Sequence, residues 1–101
     1  MAYNFKPTND YYGRYKLENT VVEQVILPST LRVLGDSTFY RCCALKSVIF
    51  REGCKLEQIG KRCFAESGLE EFVAPSRLRK IDAEAFLDCK NLKRVVLNEG
   101  L

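Results

Sequence analysis

Two consecutive stretches decide the fold: "VEQVILPSTLRVLGDSTFYRCCA", Val22 to Ala44, and "LKSVIFREGCKLEQIGKRCFAESG", Leu45 to Gly68. Laid one under the other, their apolar residues fall in columns. Val22 stands over Leu45, Val25 over Val48, Leu27 over Phe50, Leu31 over Leu56, Leu34 over Ile59 and Phe39 over Phe64. A third stretch, "LEEFVAPSRLRKIDAEAFLDCKN" (Leu69 to Asn91), continues every column with Leu69, Phe72, Ala74, Leu78, Ile81 and Phe86. A fourth, "LKRVVLNEGL", starts at Leu92 and runs to Leu101 with Val95 and Leu97 in register. The units span 22–44, 45–68, 69–91 and, in part, 92–101. The second carries two extra residues within "REGCK" and lacks one between Phe64 and Leu69. Columns that recur at a fixed period are the mark of stacked repeats, in which each unit buries its apolar face only against its neighbours.

The start of each unit is rich in β-branched and apolar residues and predicts a short strand. A constant unit length brings each strand back beside the one before, so the strands stack in parallel about 4.8 Å apart. "TLRVLG", "KLEQIG" and "RLRKID" predict a second extended segment. "DSTFYRC", "KRCFAES" and "AEAFLDC" predict short helical turns, with Gly35, Gly60 and Asp82 as their N-caps. The expected fold is therefore a solenoid, with short parallel β-strands on one face and second extended segments and helical turns on the other. The repeat domain covers 21–101. Residues 1–20 hold Tyr3, Phe5, Tyr11, Tyr12 and Tyr15, too aromatic for a typical disordered tail, and are expected to form an N-terminal cap or extension on the first rung.

The motifs "VILPSTLRVLGDSTFYRC", "VIFREGCKLEQIGKRCF" and "VAPSRLRKIDAEAFLDC" resemble the BspA-type leucine-rich repeat. The resemblance covers about residues 20–101. It implies a leucine-rich repeat solenoid, and surface or secreted proteins of bacteria and protists that meet other proteins. The N-terminus itself has no apolar run of signal-peptide type, which taken alone points to the cytoplasm.

Composition narrows the function classes. The net charge is +3, from 16 Lys and Arg against 13 Asp and Glu, too little to call for nucleic acid or an anionic membrane. There is no histidine, no nucleophile elbow and no phosphate loop, so an enzyme is not expected. The five cysteines form no C-x-x-C pair and match no usual zinc spacing, so neither a metal nor a cofactor is expected. Cys42 and Cys89 share a column with Ser67, and Cys63 shares one with Thr38 and Ala85, which reads as small buried side chains. Cys42 and Cys89 lie two rungs apart, about 9–10 Å, beyond disulfide reach. Cys43 and Cys54 lie off the columns and are the more exposed thiols.

Alternation along a strand aims successive side chains at opposite faces. With Val25 and Leu27 inward, Ile26, Ile49, Val73 and Val96 form an aliphatic row on the open face, flanked by Gln24, Ser47, Glu71 and Arg94. Two readings fit the row: β-branched filling of a sheet, or a partner-binding stripe rimmed by charge. A basic group, Arg77, Arg79 and Lys80 with Lys61 and Arg62, reads as solvated surface. The candidate function is a non-catalytic protein-interaction module. A self-assembling piece that dimerises through an uncapped C-terminal rung is the alternative.

Overall fold

The structure, a computed structural model, describes residues 22–98 and, as backbone only, the strand residues 2–4 and 11–12. Nine strands follow one another: β1 (Ala2–Asn4), β2 (Tyr11–Tyr12), β3 (Gln24–Leu27), β4 (Val33–Leu34), β5 (Ser47–Phe50), β6 (Gln58–Ile59), β7 (Glu71–Val73), β8 (Lys80–Ile81) and β9 (Arg94–Val96). All pairing is parallel. β2, β4, β6 and β8 form one continuous ladder, and β1, β3 and β5 form another, with β7 paired to β9 beside it. The registers are those of the sequence columns: Val25 opposite Val48, Leu27 opposite Phe50, Leu34 opposite Ile59 and Ile59 opposite Ile81. Residues 1–20 thus supply β1 and β2, which extend both ladders by one rung. The side chains of the proposed aromatic cap lie outside the described residues.

The inward columns make the core. Val25, Leu27, Leu31, Leu34, Phe39, Leu45, Leu56, Ile59, Phe64, Leu69, Phe72 and Leu78 are all buried. Phe39 stacks on Phe64 at 5.3 Å between ring centroids, and Phe64 on Phe86 at 5.6 Å, with planes within 16° and 5° of parallel. The Phe column is therefore a continuous aromatic stack along the solenoid axis.

The expected helical turns are not helices, and none occurs among the described residues. Each segment is a chain of tight turns. Cys63 N donates to Gly60 O, Ser67 N to Phe64 O, Ala85 N to Asp82 O and Cys89 N to Phe86 O. The third residue of each of these turns, Arg62, Glu66, Glu84 or Asp88, has φ between 55° and 58°. A positive φ at that position marks a type II turn. Ser37 and Arg41 sit at the equivalent places of the first unit. Intervening N–H groups donate to the next rung instead: Phe39 N to Cys63 O at 2.8 Å, Arg41 N to Ala65 O at 3.0 Å, Phe64 N to Ala85 O at 2.8 Å and Glu66 N to Leu87 O at 2.8 Å. A helix would keep those donors within its own segment. Here they build a third row of bonds between rungs. Gly35, Gly60 and Asp82 accordingly open tight turns rather than capping helices.

Both irregularities of the second unit have local explanations. The two extra residues form a turn in which Cys54 N donates to Arg51 O and Gly53 takes φ 76°, a conformation glycine adopts without Cβ strain. Lys55 N then donates to Ser29 O, which restores the register. The missing residue before Leu69 draws the chain against the first rung. Gly68 N donates to Cys42 O, and a Cβ at Gly68 would overlap the Cys43 carbonyl oxygen.

Candidate functional site: the open sheet face

Alternation along β3, β5, β7 and β9 places the aliphatic row outward. Ile26 is half-buried opposite Ile49, and Val73 lies opposite Val96. Ile49, Val73 and Val96 are 39%, 45% and 38% exposed. The flanking column is polar and partly paired across rungs. Gln24 Nε2 donates to Ser47 Oγ at 3.3 Å, and Arg94 meets Glu71 at 3.5 Å. One position further towards the strand starts, Lys46 meets Glu23 at 3.8 Å.

The row is two pairs rather than one unbroken column. β5 and β7 share no ladder, although Glu70 N still donates to Lys46 O at 3.0 Å at their N-terminal ends. Beyond that bond a cleft of about 250 Å³ opens between them, lined by Ser47, Val48, Phe50, Glu71, Val73, Ala74 and Pro75. Phe50 meets Phe72 edge-on at 5.8 Å. Two bulky rings thus occupy adjacent inward columns on neighbouring strands, while Ala74 fills its own column with a single methyl. Val48 and Phe50 are only half-buried, whereas Val25 and Leu27, their partners on β3, are 0% and 1% exposed. Sequence reading takes each of these residues as an acceptable apolar column member and misses the cleft. The local signal is the pairing of Phe50 with Ala74 next to Phe72.

Elsewhere the surface is ion-paired. Glu57 takes Arg32 at 3.2 Å and Arg79 at 2.9 Å, one carboxylate between two guanidiniums on successive rungs. Arg62 meets Glu84 at 2.8 Å. Arg77, Lys80 and Lys61 are exposed. Exposed pairs of this kind contribute little, about 0–1 kcal/mol each.

All five cysteines are free thiols, and the described residues contain no cluster of Cys, Asp and Glu able to hold a metal ion. Cys42 and Cys63 are buried, Cys54 and Cys89 are half-buried and Cys43 is exposed. Burial pushes the Cys63, Cys54 and Cys89 thiols up, against hydrogen bonds that pull the other way. Cys89 Sγ donates to Phe64 O at 3.0 Å and contacts Ser67 Oγ at 3.7 Å. The thiolate is the reacting form, so reactivity should follow access and ease of ionisation. Brief treatment with a maleimide at neutral pH is expected to label Cys43 first and to leave Cys42 and Cys63 unlabelled until the protein is unfolded. Peptide mapping that found Cys63 labelled as fast as Cys43 would contradict this packing.

The model of the BspA type leucine-rich repeat region, in six copies, matches residues 7–101. The chain belongs to this family. Solved structures share the fold. A leucine-rich repeat protein from Bacteroides ovatus is 29% identical with a TM-score of 0.80, over 95% of this chain and 25% of that one. The pneumococcal vaccine antigen PcpA is 24% identical with a TM-score of 0.75, over 97% of this chain and 24% of that one. A leucine-rich cell surface protein from Faecalibacterium prausnitzii is 19% identical with a TM-score of 0.63, over 99% of this chain and 36% of that one. The chain spans about a quarter to a third of the length of these structures. No curated protein matches it. This BspA-type chain is a leucine-rich repeat protein, a fold generally used for interaction rather than catalysis.

Proposed function

We propose that this protein is a non-catalytic interaction module that binds a partner protein through the open face of β3, β5, β7 and β9, at a bacterial cell surface or after secretion. The observation that carries the reading is the outward aliphatic row, Ile26 with Ile49 and Val73 with Val96, rimmed by Ser47, Glu71 and Arg94. Charged rim and apolar centre is the anatomy of a protein-binding patch. Two of the similar structures, one named as a vaccine antigen and one as a cell surface protein, support the proposed surface location.

The test starts from dodecapeptides selected from a displayed random library on the purified protein. Their footprints, read from backbone amide shifts, should fall on the open face. Ile49→Thr with Val73→Thr should weaken their binding at least ten-fold, while stability shifts by no more than about 1 kcal/mol, the scale of a cross-strand pair. Retained binding by the double variant would remove the open face from consideration.

Self-association is the second reading. Val95 and Leu97 are 43% and 55% exposed, in columns that are otherwise buried on β3. Sedimentation velocity that shows a concentration-dependent dimer, abolished by Leu97→Lys, would favour it over a monomeric binder.

A further inference from the structure

Between β5 and β7 a cleft reaches the inner columns from the open face. Three features define what it could hold. Its volume, about 250 Å³, falls below the range of about 300–1,000 Å³ usual for small-molecule sites and suits a single side chain. Its floor is apolar, made by Val48, Phe50 and Ala74, and Ala74 stands in a column otherwise filled by Leu27, Phe50 and Leu97. The seat left open is therefore that of a leucine-sized side chain.

The third feature is charge. Among the strands β3, β5, β7 and β9, β7 alone begins on a carboxylate, Glu71, with a second, Glu70, directly before it. Glu71 meets Arg94 on its β9 side, across 3.5 Å and with side chains 54% and 63% exposed. On its β5 side stands Ser47, an uncharged neighbour. Glu57 shows that one carboxylate in this fold holds two cations, one from each flanking rung. Glu71 holds one, and its second side faces the cleft.

We infer that this cleft seats one leucine or isoleucine side chain from an extended segment of a partner protein, with a lysine or arginine beside it against Glu71. This rests on the reading of the open face as the partner-binding surface. Val73 lines the cleft on the β7 side, and on the β5 side Ile49 stands outward between the lining residues Val48 and Phe50. Because the seat is formed by two strands that do not pair, the occupant spans the interrupted ladder.

Filling the seat from within tests the inference. Dodecapeptides selected on the purified protein should share an aliphatic residue next to Lys or Arg. Changing that aliphatic residue to alanine should weaken binding at least ten-fold, and changing the basic residue to glutamine should weaken it several-fold. Ala74→Leu should lower affinity at least ten-fold and Ala74→Val by a smaller factor, and the peptide-induced amide shifts of Ser47–Phe50 and Glu71–Ala74 seen in the parent protein should be lost in Ala74→Leu. Thermal melts check that both variants fold, and the peptide substitutions decide the matter on the parent protein if Ala74→Leu does not. Footprints on the open face with unchanged affinity for Ala74→Val and for the alanine-substituted peptide would overturn the seat and leave the wider binding face standing. Footprints away from the open face, or no selected peptide at all, would overturn both.

Discussion

Phe64→Ala is expected to destabilise the protein by about 3–5 kcal/mol, the usual cost of truncating a buried phenylalanine. Phe64 is 0% exposed and sits in the middle of the aromatic stack. It lies 5.3 Å from Phe39 and 5.6 Å from Phe86, and Phe72 closes on it from the strand side at 5.9 Å. Its loss removes three ring contacts together with the buried area, and aromatic pairs add about 0.5–1.5 kcal/mol each beyond area. Backbone bonds on both sides, Phe64 N to Ala85 O and Phe39 N to Cys63 O, hold the rungs apart and limit collapse into the hole. For a domain of about 5–15 kcal/mol total stability, the melting temperature should fall on the order of 20 °C. Phe86→Ala, at a half-buried ring, should cost less. Melting within a degree or two of the parent for Phe64→Ala would contradict the stack.

Gly68→Ala is the second large effect, and its cause is opposite: an added atom rather than a lost one. An alanine Cβ here would overlap the Cys43 carbonyl oxygen and lie 3.0 Å from Leu45 O. Both obstacles are backbone atoms, so no side-chain rotation relieves them. Overpacking costs about 1–3 kcal/mol and sometimes more, and a backbone obstacle places this variant at or above the upper end. The equivalent residues Ala44 and Asn91 tolerate a Cβ because their units retain the residue that the second unit lacks. In the Gly68→Ala variant, inserting one residue directly after Ser67 should recover much of the lost stability in urea titrations. If Gly68→Ala unfolds at the parent's midpoint, the close approach is not as described.

The strands, their register and the buried columns were legible in the sequence because a stacked repeat writes each contact three times. Val25, Val48 and Phe72 need not be identical for their common spacing to show. The turns were misread for a definite reason. The three-residue spacing from Phe39 to Cys42 and from Phe86 to Cys89 fits a helical turn and a chain of tight turns equally well. What separates the two is left-handed backbone, and glycine or asparagine usually announces it. Here those places are held by Ser37, Arg41, Arg62, Glu66, Glu84 and Asp88, so no residue type gave the conformation away. The bonds to the next rung compensate for the strain, and a single unit read by itself cannot show them. The outward row was legible from alternation alone. The cleft that divides it was not, because it arises from the relation between Phe50, Phe72 and Ala74 on different rungs rather than from any one of them.

The rows of backbone bonds between rungs also have a mechanical meaning. They run along the solenoid axis, so a pull along that axis loads the junctions between rungs in series, and the junction with the fewest bonds yields first. Between the first and second units the β3–β5 ladder, the β4–β6 ladder and the turn row all carry load. Between the second and third units, β5 and β7 contribute little beyond the Glu70–Lys46 bond, leaving the β6–β8 ladder and the turn row. Stretched end to end, the junction between the second and third units should therefore part before the one between the first and second.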